Sequence, residues 1–293
     1  MTLTELRYLI ALAQEGSFSR AAEVCAVSQP TLSQSIARLE SELGIPLFER
    51  GIGFVSPSEA GARIVAQARV VMDEVAKVKT LAQSGQDSLS GTLRIGLIHT
   101  VAPYLLPRLI KHLANIAPNM PLAIEENMTA NLANMLRDNQ IDVAVLALPF
   151  DAPGILTRHL YDEPFKVIVP HKHAWCNRSS IDASDMDGQE LLLLKGGNCF
   201  RDQVLEACPK VSAPDSDAQL GHSLETIRSM VATGLGISVL PESATLPPYS
   251  NDMIHVLPFS EPAPYRRIGL AWRVGFVRPK VIDVLAEAAQ PEA

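Results

Sequence analysis

The pattern of apolar residues changes sharply between residues 83 and 91, and this change restricts the folds that the chain can adopt. Residues 1–83 carry apolar side chains at helical spacing, interrupted only by short turns that contain glycine or proline. From Gly91 onward, short apolar runs alternate with amphipathic helical stretches. That alternation is typical of parallel sheets with helices on both faces. The polar segment 84–88 lies between the two patterns and is the best candidate for a linker.

Length and composition exclude several classes of protein. A chain of 293 residues exceeds one ordinary domain, so two or three compact units are expected. No apolar run approaches the roughly 18 residues of a membrane helix, and the N-terminus lacks the features of a secretory signal. Four cysteines without such a signal predict a cytoplasmic protein with reduced thiols. The net charge of −7 gives no indication of a nucleic-acid partner.

The N-terminal pattern nevertheless contains a candidate helix-turn-helix. A first helix ends at Gly16, a short second helix covers residues 20–25, and a third helix begins after Ser28 and runs to about residue 43. Pro30 suits the first turn of that third helix. Small and amide side chains at its start are able to bond base edges or phosphates, and Arg38 lies one turn further on. These candidate DNA-contacting residues are Ser28, Gln29, Pro30, Thr31, Ser33, Gln34 and Arg38.

Charge does not decide between a DNA-binding module and an ordinary helical hairpin in a bundle. Residues 1–83 contain eight Lys and Arg against nine acidic residues. DNA binding would require the arginines to gather on one face, which sequence alone does not show. Both interpretations therefore stay open on the pattern alone.

Two cysteines bracket a second informative segment. Glycines precede residues 198–207 and Pro209 follows them, which predicts a helix with Cys199 near its N-terminus and Cys208 at its end. A helix N-terminus favours a thiolate. Nine residue steps along a helix span roughly 13–14 Å, whereas a disulfide requires Cα atoms within roughly 7 Å. A bond between the two cysteines would therefore require this helix to unwind.

Spacing alone favours a plainer interpretation of these cysteines. Two unrelated buried thiols would give the same pattern, and they are the more common case. A metal site is weaker still, because the segment lacks the short CxxC spacing and has no histidine close in sequence. No residue pattern implies a cofactor or a metal. His99 ends a predicted strand and is a candidate for lining a cleft at that edge of the sheet.

Five motifs follow one another in the N-terminal part of the chain. They are Leu6-Arg7-Tyr8-Leu9, Gly16-Ser17-Phe18-Ser19-Arg20-Ala21-Ala22, Val27-Ser28-Gln29-Pro30-Thr31-Leu32-Ser33, Ile36-Ala37-Arg38-Leu39-Glu40 and Leu47-Phe48-Glu49-Arg50. Together they resemble the N-terminal motifs of LysR-type transcriptional regulators. The resemblance implies a winged helix-turn-helix, in which Arg50 also faces DNA, a long dimerising helix, and two α/β lobes like those of periplasmic binding proteins. It further implies promoter DNA and RNA polymerase as partners, and homodimers or homotetramers.

These features together predict an α+β multidomain architecture. A winged helix-turn-helix DNA-binding domain covers residues 1–60, a dimerising linker helix residues 58–84, and a hinge residues 85–90. A regulatory domain covers residues 91–293. Its first lobe is formed by about 91–162 with 267–293, and its second by about 163–266.

The C-terminal motifs are similar to those of the hydrogen peroxide sensors within this family. They comprise Gly197-Asn198-Cys199-Phe200-Arg201-Asp202-Gln203 with Cys208, and residues 222–232, 95–107 and 266–270. The resemblance implies that Cys199 reacts with peroxide, that Cys208 resolves the product as a disulfide, and that a dithiol reductant resets it. Thr100, Asp202 and Arg266 match residues that surround the reactive thiol in those relatives.

One position of the chain departs from these relatives. Relatives often carry a histidine where this chain has Asn198, whose amide cannot relay a proton near neutral pH.

Two rival functions remain. A LysR regulator controlled by a small metabolite between the lobes does not need the cysteine pair. A thiol peroxidase-like enzyme does not need the helix-turn-helix. The expectation is therefore a regulator that activates antioxidant genes, and not an enzyme.

Overall fold

The chain divides into two compact units, Met1–Asp87 and Ser88–Ala293. The computed structural model describes residues 1–50, 55–83, 88–189, 191–209 and 220–290. Outside the described residues lie the start of the predicted hinge, the tip of the predicted wing and Glu190.

The first unit consists of helices and one small hairpin. Thr2 caps the first helix through a reciprocal capping box with Glu5, and Gly16 ends it in the left-handed conformation at φ +61°. Ser28 caps the third helix, as predicted, and Gly44 ends it in the same way. The elements are α1 (Leu3–Glu15), α2 (Phe18–Val24), α3 (Gln29–Leu43), β1 (Phe48–Arg50), β2 (Val55–Pro57) and α4 (Glu59–Gln83).

The second helix begins two residues earlier than the sequence predicted, at Phe18 instead of residue 20. Ser17 occupies its N-cap position but forms no side-chain capping bond, so the polar residue that marks this start was a weak guide. Cys25 lies at the C-cap, half-buried against the core of this unit.

Side chains of α1, α2 and α3 form the core of the first unit. Leu9, Leu12, Leu32 and Leu39 are fully buried there. The long helix α4 approaches this core closely, since a Cβ on Gly61 would lie 1.8 Å from the carbonyl oxygen of Leu47. Glycine is therefore required where the helix crosses the hairpin.

The second unit alternates strands and helices in the order that the sequence predicted for its first half. Parallel strands β3, β4 and β5 are joined by helices, and the later strands follow through less regular connections. The elements are β3 (Leu93–Ile98), α5 (Ala102–Ile116), β4 (Leu122–Asn127), α6 (Thr129–Arg137), β5 (Val143–Leu148), β6 (Ile155–Pro170), β7 (Leu193–Leu194), α7 (Cys199–Ala207), β8 (Leu220–Gly221), α8 (Leu224–Ala232), β9 (Ser238–Pro241), β10 (Ile254–Pro258), β11 (Tyr265–Arg273) and α9 (Pro279–Ala288).

Seven of the described strands form one mixed sheet. Its order is β10-β6-β11-β5-β3-β4, and β9 pairs with β6. Strand β3 pairs in parallel with β4 and β5, whereas β11 pairs antiparallel with both β5 and β6. The short strands β7 and β8 form a separate parallel pair.

Strand β6 is longer than its apolar residues alone would predict. It is a single strand of 16 residues that pairs with β11 along its first half and with β9 and β10 along its second. Polar residues and Pro164 interrupt the apolar pattern of the first half, and this conceals the strand from a pattern-based prediction.

The second unit contains two hydrophobic cores. One comprises buried residues of β3, α5, α6, β5 and α9, together with the second half of β11. The other comprises buried residues of the second half of β6, of α7, α8 and β9, and of β10. Each core forms a lobe. Strand β6 connects the lobes, since it contributes Leu160 to the first core and Phe165 to the second.

Candidate functional site

The two cysteines of interest lie at opposite ends of α7. Cys199 is its first helical residue and Cys208 its C-cap. Asn198 is the N-cap, and its side-chain oxygen accepts a hydrogen bond from the amide of Phe200 at 3.1 Å. Both cysteines are free thiols. The helix between them keeps the thiols too far apart for a disulfide while it remains folded.

The Cys199 sulfur lies where the two lobes meet. The side chain is half-buried and packs against the core of the first lobe, although its helix belongs to the second. The Thr129 hydroxyl donates a hydrogen bond to Cys199 Sγ at 3.5 Å. Thr129 is itself the first residue of α6, so this hydrogen bond joins the start of α6 in the first lobe to the start of α7 in the second.

Thr129 was not predicted from the sequence, although its position after a parallel strand could have indicated it. Thr100 and Thr129 each follow the carboxyl end of a parallel strand, β3 and β4 respectively. Carboxyl ends of adjacent parallel strands meet at one edge of a sheet, where functional groups collect. A second hydroxyl at this edge could therefore have been predicted by the same argument that selected His99.

A small cavity of about 10 Å³ adjoins the Cys199 thiol, enough for roughly one water-sized molecule. It adjoins a larger cleft of about 300 Å³ between the lobes, because His99, Met128 and Asn198 line both. The remaining lining residues of the small cavity are Ile98, Asn127, Thr129, Gly197 and Cys199. The Cys199 thiol therefore lies close to the cleft between the lobes.

Charged and polar side chains dominate the larger cleft. His99 is paired with Glu126, with Nδ1 at 3.0 Å from the carboxylate. Lys195, His222 and Glu225 line the cleft further out, together with Tyr104. The Tyr104 hydroxyl donates to Glu225 at 3.2 Å, which joins α5 of the first lobe to α8 of the second.

Arg266 and Thr100, both predicted to surround the thiol, form a buried network that reaches Phe200, the residue after Cys199, and neither lines the cavity beside the thiol. The Arg266 guanidinium donates to the Thr100 hydroxyl at 2.7 Å and to its carbonyl at 2.8 Å. It also forms an ion pair of 2.7 Å with Glu163, and its Cζ lies 5.0 Å from the ring centroid of Phe200. Arg266 is thus positioned behind the residue that follows Cys199 and holds the start of α7 through its ring.

Asp202 is the other predicted member of the site. It lies in the first turn of α7, one turn after Cys199, and its side chain is exposed. A carboxylate in the first turn stabilises the helix through the dipole. Its role beside the thiol stays a prediction.

Cys208 differs from Cys199 in its surroundings. Its side chain is fully buried in the core of the second lobe. Burial raises the pKa of the Cys208 thiol to about 11, because the apolar core disfavours the charged thiolate. Cys208 is therefore a protonated, unreactive thiol while α7 is folded.

In the first unit, helix α3 presents most of the predicted DNA-contacting residues on one exposed surface. Ser28, Gln29, Pro30, Thr31 and Gln34 are exposed, whereas Ser33 is half-buried. The opposite face of α3 buries Leu32, Ile36 and Leu39. The Ser28 hydroxyl accepts from the Thr31 amide at 3.3 Å as the N-cap of α3. The side chain of Arg50 lies outside the described part of the chain.

Arg38 has a structural partner that the sequence did not indicate. Its Nε donates to Glu5 of α1 at 2.6 Å, while most of the Arg38 side chain stays exposed. Burial alone would raise the pKa of Glu5, but hydrogen bonds from Arg38 and Thr2 outweigh burial and hold the pKa below its usual value. Arg38 thus anchors α3 to α1 with a charged group that is still accessible.

The described residues contain neither a helix able to cross a membrane nor a cluster of side chains able to hold a metal ion. None of their helices combines the length and the apolar character needed to cross a bilayer. Nor do they contain a cluster of three or more His, Cys, Asp or Glu side chains able to hold a metal ion.

Comparison with known families agrees with this division of the chain. Residues 3–62 match the bacterial regulatory helix-turn-helix proteins of the lysR family. Residues 86–293 match the LysR substrate binding domain.

Individual relatives are similar over nearly the whole chain. The DNA-binding transcriptional dual regulator OxyR of Escherichia coli K12 is 40% identical over 288 residues, which cover 98% of this chain and 94% of that protein. The hydrogen peroxide-inducible genes activator of Haemophilus influenzae is 36% identical over 292 residues, covering 100% of this chain and 97% of that protein.

Solved structures give the same result. Full-length OxyR of Pseudomonas aeruginosa, a cysteine-to-aspartate variant, superposes with a TM-score of 0.84 at 48% identity and covers 99% of this chain and 94% of that one. Peroxide-bound OxyR of Corynebacterium glutamicum, a cysteine-to-serine mutant, gives 0.67 at 32% identity, with 99% and 91% covered. The chain therefore belongs to the LysR family of bacterial regulators, within the group that includes OxyR.

Proposed function

We propose that this chain is a DNA-binding transcriptional regulator that detects hydrogen peroxide through Cys199 and activates antioxidant genes. The observation that carries the proposal is the contrast between the ends of α7. Cys199 lies beside a small cavity with its sulfur bound by Thr129, whereas Cys208 is buried and protonated. Cys199 is the thiol that reacts first, and Cys208 does not react while α7 is folded. The relatives described above as hydrogen peroxide-inducible activators support the same conclusion.

The first step oxidises Cys199. The thiolate attacks one peroxide oxygen, an S–O bond forms as the O–O bond breaks, and hydroxide leaves. The product is Cys199 sulfenic acid. The Thr129 hydroxyl and the start of α7 stabilise the thiolate before attack. Thr100 and Arg266 act as positioning residues, since their network holds Phe200 and with it the first turn of α7. We assign Asp202 to the same group through its place in that turn.

The second step forms a disulfide between Cys199 and Cys208. The Cys208 thiolate attacks the sulfenic sulfur, an S–S bond forms as the S–O bond breaks, and the departing hydroxide takes up a proton from solvent to become water. This step requires α7 to open, which brings the two Cα atoms within bonding distance. Opening also removes Cys208 from the core, and its pKa then falls towards the ordinary value, so that the thiolate becomes available. A cytoplasmic dithiol reductant reverses the disulfide.

The DNA-binding part of the proposal places α3 in the major groove of double-stranded promoter DNA. Gln29, Ser33 and Gln34 read base edges there, while Ser28, Pro30, Thr31, Arg38 and Arg50 line the backbone contacts. The helix start is exposed and carries small polar side chains, which supports this assignment. RNA polymerase is the expected partner of an activator.

The proposal also includes the assembly and its domains. The DNA-binding domain comprises residues 1–60, helix 58–84 pairs two chains as a homodimer, and two dimers form a homotetramer. Residues 85–90 connect this part to the regulatory lobes. The length of α4, 25 residues, is sufficient for a dimerising helix.

Non-reducing peptide mapping after treatment with stoichiometric hydrogen peroxide at neutral pH tests the proposal. We expect rapid formation of a Cys199–Cys208 disulfide that a dithiol reverses. Cys176 is the matched control in the same chain, because it too is half-buried, but its thiol donates to the carbonyls of Pro170 and His171. Unmodified Cys199 in folded protein would contradict the proposal and favour a regulator that binds a metabolite in the cleft.

A further inference from the structure

The step at Cys199 requires a proton that the proposed function has not yet assigned. Cleavage of the O–O bond releases hydroxide, and protonating it in the transition state lowers the barrier. A suitable donor must line the cavity beside Cys199 and must be able to lose a proton near neutral pH. This requirement rests on the proposed function, in which Cys199 reacts with peroxide.

Most residues of the cavity do not meet this requirement. Asn198 caps α7 through its side-chain oxygen, and an amide does not release a proton near neutral pH. The Thr129 hydroxyl donates to the Cys199 sulfur. Asn127 is an amide whose oxygen accepts from the amides of Met128 and Asn131. Among the cavity-lining residues, all of which lie in the described part of the chain, His99 is the titratable side chain that remains besides Cys199.

The contact between His99 and Glu126 prepares the imidazole for this task. His99 directly follows β3, and Glu126 lies near the end of the neighbouring parallel strand β4. A carboxylate accepts hydrogen bonds only, so His99 Nδ1 carries the proton of the 3.0 Å contact. The second nitrogen, Nε2, is then the atom that gains and loses a proton.

We propose that His99 is the general acid of peroxide cleavage in this chain. The Cys199 thiolate attacks one oxygen, and the electron pair of the O–O bond moves to the other oxygen. The Nε2 proton of His99 transfers to that oxygen, so water leaves in place of hydroxide. Cys199 is oxidised to the sulfenic acid, the peroxide is reduced, and the neutral imidazole takes up a proton from solvent. Glu126 is a positioning residue that fixes the ring and its tautomer.

Several other charged or titratable groups line the same cleft as His99. Glu126 lies on β4, Glu225 on α8, and Lys195 precedes α7. His222 lies before α8, Tyr104 lies on α5, and Cys199 of α7 lines the small cavity with His99.

The test compares peroxide with a second electrophile at the same sulfur. In the full chain, Cys199 oxidation by hydrogen peroxide and alkylation by iodoacetamide are each followed by mass spectrometry between pH 5.5 and 8.5. Both reactions require the thiolate, but iodide leaves without a proton. We expect His99→Gln to slow oxidation at least about tenfold near pH 6, in view of the roughly 10²–10⁴-fold typical of general acids. We expect alkylation to change less than about twofold.

The pH profile and a matched variant complete the test. The advantage of the wild type over His99→Gln shrinks as pH rises, because the neutral ring no longer donates. Glu126→Gln loosens the ring that Glu126 positions, so it should also slow oxidation while leaving alkylation unchanged. His222→Gln is the control, since His222 lines the cleft but not the small cavity. Cys199 of this variant should oxidise at the wild-type rate.

Each contrary outcome has a distinct meaning. Equal oxidation rates in wild type and His99→Gln overturn the role of His99 and leave the proposed function standing. Equal losses of oxidation and alkylation also overturn it, since His99 would then support only the thiolate or the local structure. A wild-type Cys199 that resists peroxide overturns the proposed function and this inference with it.

Discussion

Arg266 and Glu163 are directly opposed on the antiparallel strands β11 and β6, and they form an ion pair with 2% and 4% of their surfaces exposed. On β6 the pair lies between Leu160 of the first core and Phe165 of the second. Arg266 also donates to Thr100 of the first lobe and lies against Phe200 of the second. A single guanidinium therefore joins the two lobes at the residue that follows Cys199.

The first prediction concerns the stability of this pair. Arg266→Met leaves the Glu163 carboxylate buried without its cation, and breaking a buried pair in this way costs about 3–5 kcal/mol. Urea unfolding followed by tryptophan fluorescence measures the loss, since both tryptophans, Trp175 and Trp272, belong to the second unit. Arg267→Met at the neighbouring exposed position should change the free energy of unfolding by less than about 0.5 kcal/mol. Similar losses in the two variants would contradict the assignment.

The second prediction concerns the hydrogen bond from Thr129 to the Cys199 sulfur. Thr129→Val keeps the shape of the side chain but removes the donor, and a net hydrogen bond is worth about 1 kcal/mol. We expect Cys199 to oxidise roughly fivefold more slowly, as measured by trapping the sulfenic acid at timed intervals. Thr129→Ser retains the hydroxyl and should stay close to the wild-type rate. A valine variant as fast as the wild type would show that the contact does not assist the thiolate.

The third prediction concerns stability at alkaline pH. The Cys208 pKa rises from an ordinary 9.0 to about 11 in the folded chain because the side chain is buried. Between these values the unfolded chain has lost the thiol proton while the native chain keeps it, so stability that is complete below pH 9.0 is lost as pH rises towards 11.

The comparison with Cys208→Ala isolates this effect from other groups that titrate at high pH. The difference in unfolding free energy between wild type and Cys208→Ala should shrink by about 2–3 kcal/mol over that range. Urea unfolding at a series of pH values measures the difference. A pH-independent difference would indicate that Cys208 ionises as easily in the folded state as in the unfolded chain.

The fourth prediction concerns acid stability in the first unit. Because the pKa of Glu5 is held below its usual value of 4.5, its ionised form stabilises the fold above that pH. This contribution is lost as pH falls through the lower folded value. Hydrogen exchange of α1 peptides in the full chain, at pH 6 and pH 3.5, should show strong acid sensitivity in the wild type. Glu5→Gln should weaken that sensitivity, and an identical response in both would contradict the prediction.

The fifth prediction concerns Arg38 and DNA. If its exposed guanidinium contacts a phosphate, Arg38→Ala should weaken binding to duplex DNA of any sequence. The slope of log affinity against log salt should become shallower by about one. Arg63→Ala is the matched control, because Arg63 is an exposed arginine of α4 that forms only a 4.0 Å pair with Glu59. An unchanged salt slope in Arg38→Ala would remove this residue from the interface.

Much of the fold could be predicted from the sequence where local signals agree. Ser28 and Gly44 mark the ends of α3, and Asn198 marks the start of α7, because each cap supplies the bond or the backbone conformation that a helix end requires. Strands β3 and β5 are almost wholly buried, so their continuous apolar runs identified them.

Contacts between distant parts of the chain could not be predicted in the same way. The pairing of Arg38 with Glu5 joins residues 33 positions apart, and the pairing of Arg266 with Glu163 joins residues 103 apart. Spacing carries no information about such pairs. The first half of β6 was missed because its polar side chains are tolerated through pairing with β11, which is a property of the assembled sheet.

The folded helix between Cys199 and Cys208 also sets a lower limit on response time. Since no disulfide forms until α7 opens, the switch cannot lock faster than this helix unfolds, however much peroxide is present. A brief pulse would leave only sulfenic acid, which a reductant removes, whereas a sustained pulse would outlast the opening time. In the proposed switch, substitutions on the exposed face of α7 that change the stability of this nine-residue helix would therefore change the rate of disulfide formation without altering either thiol.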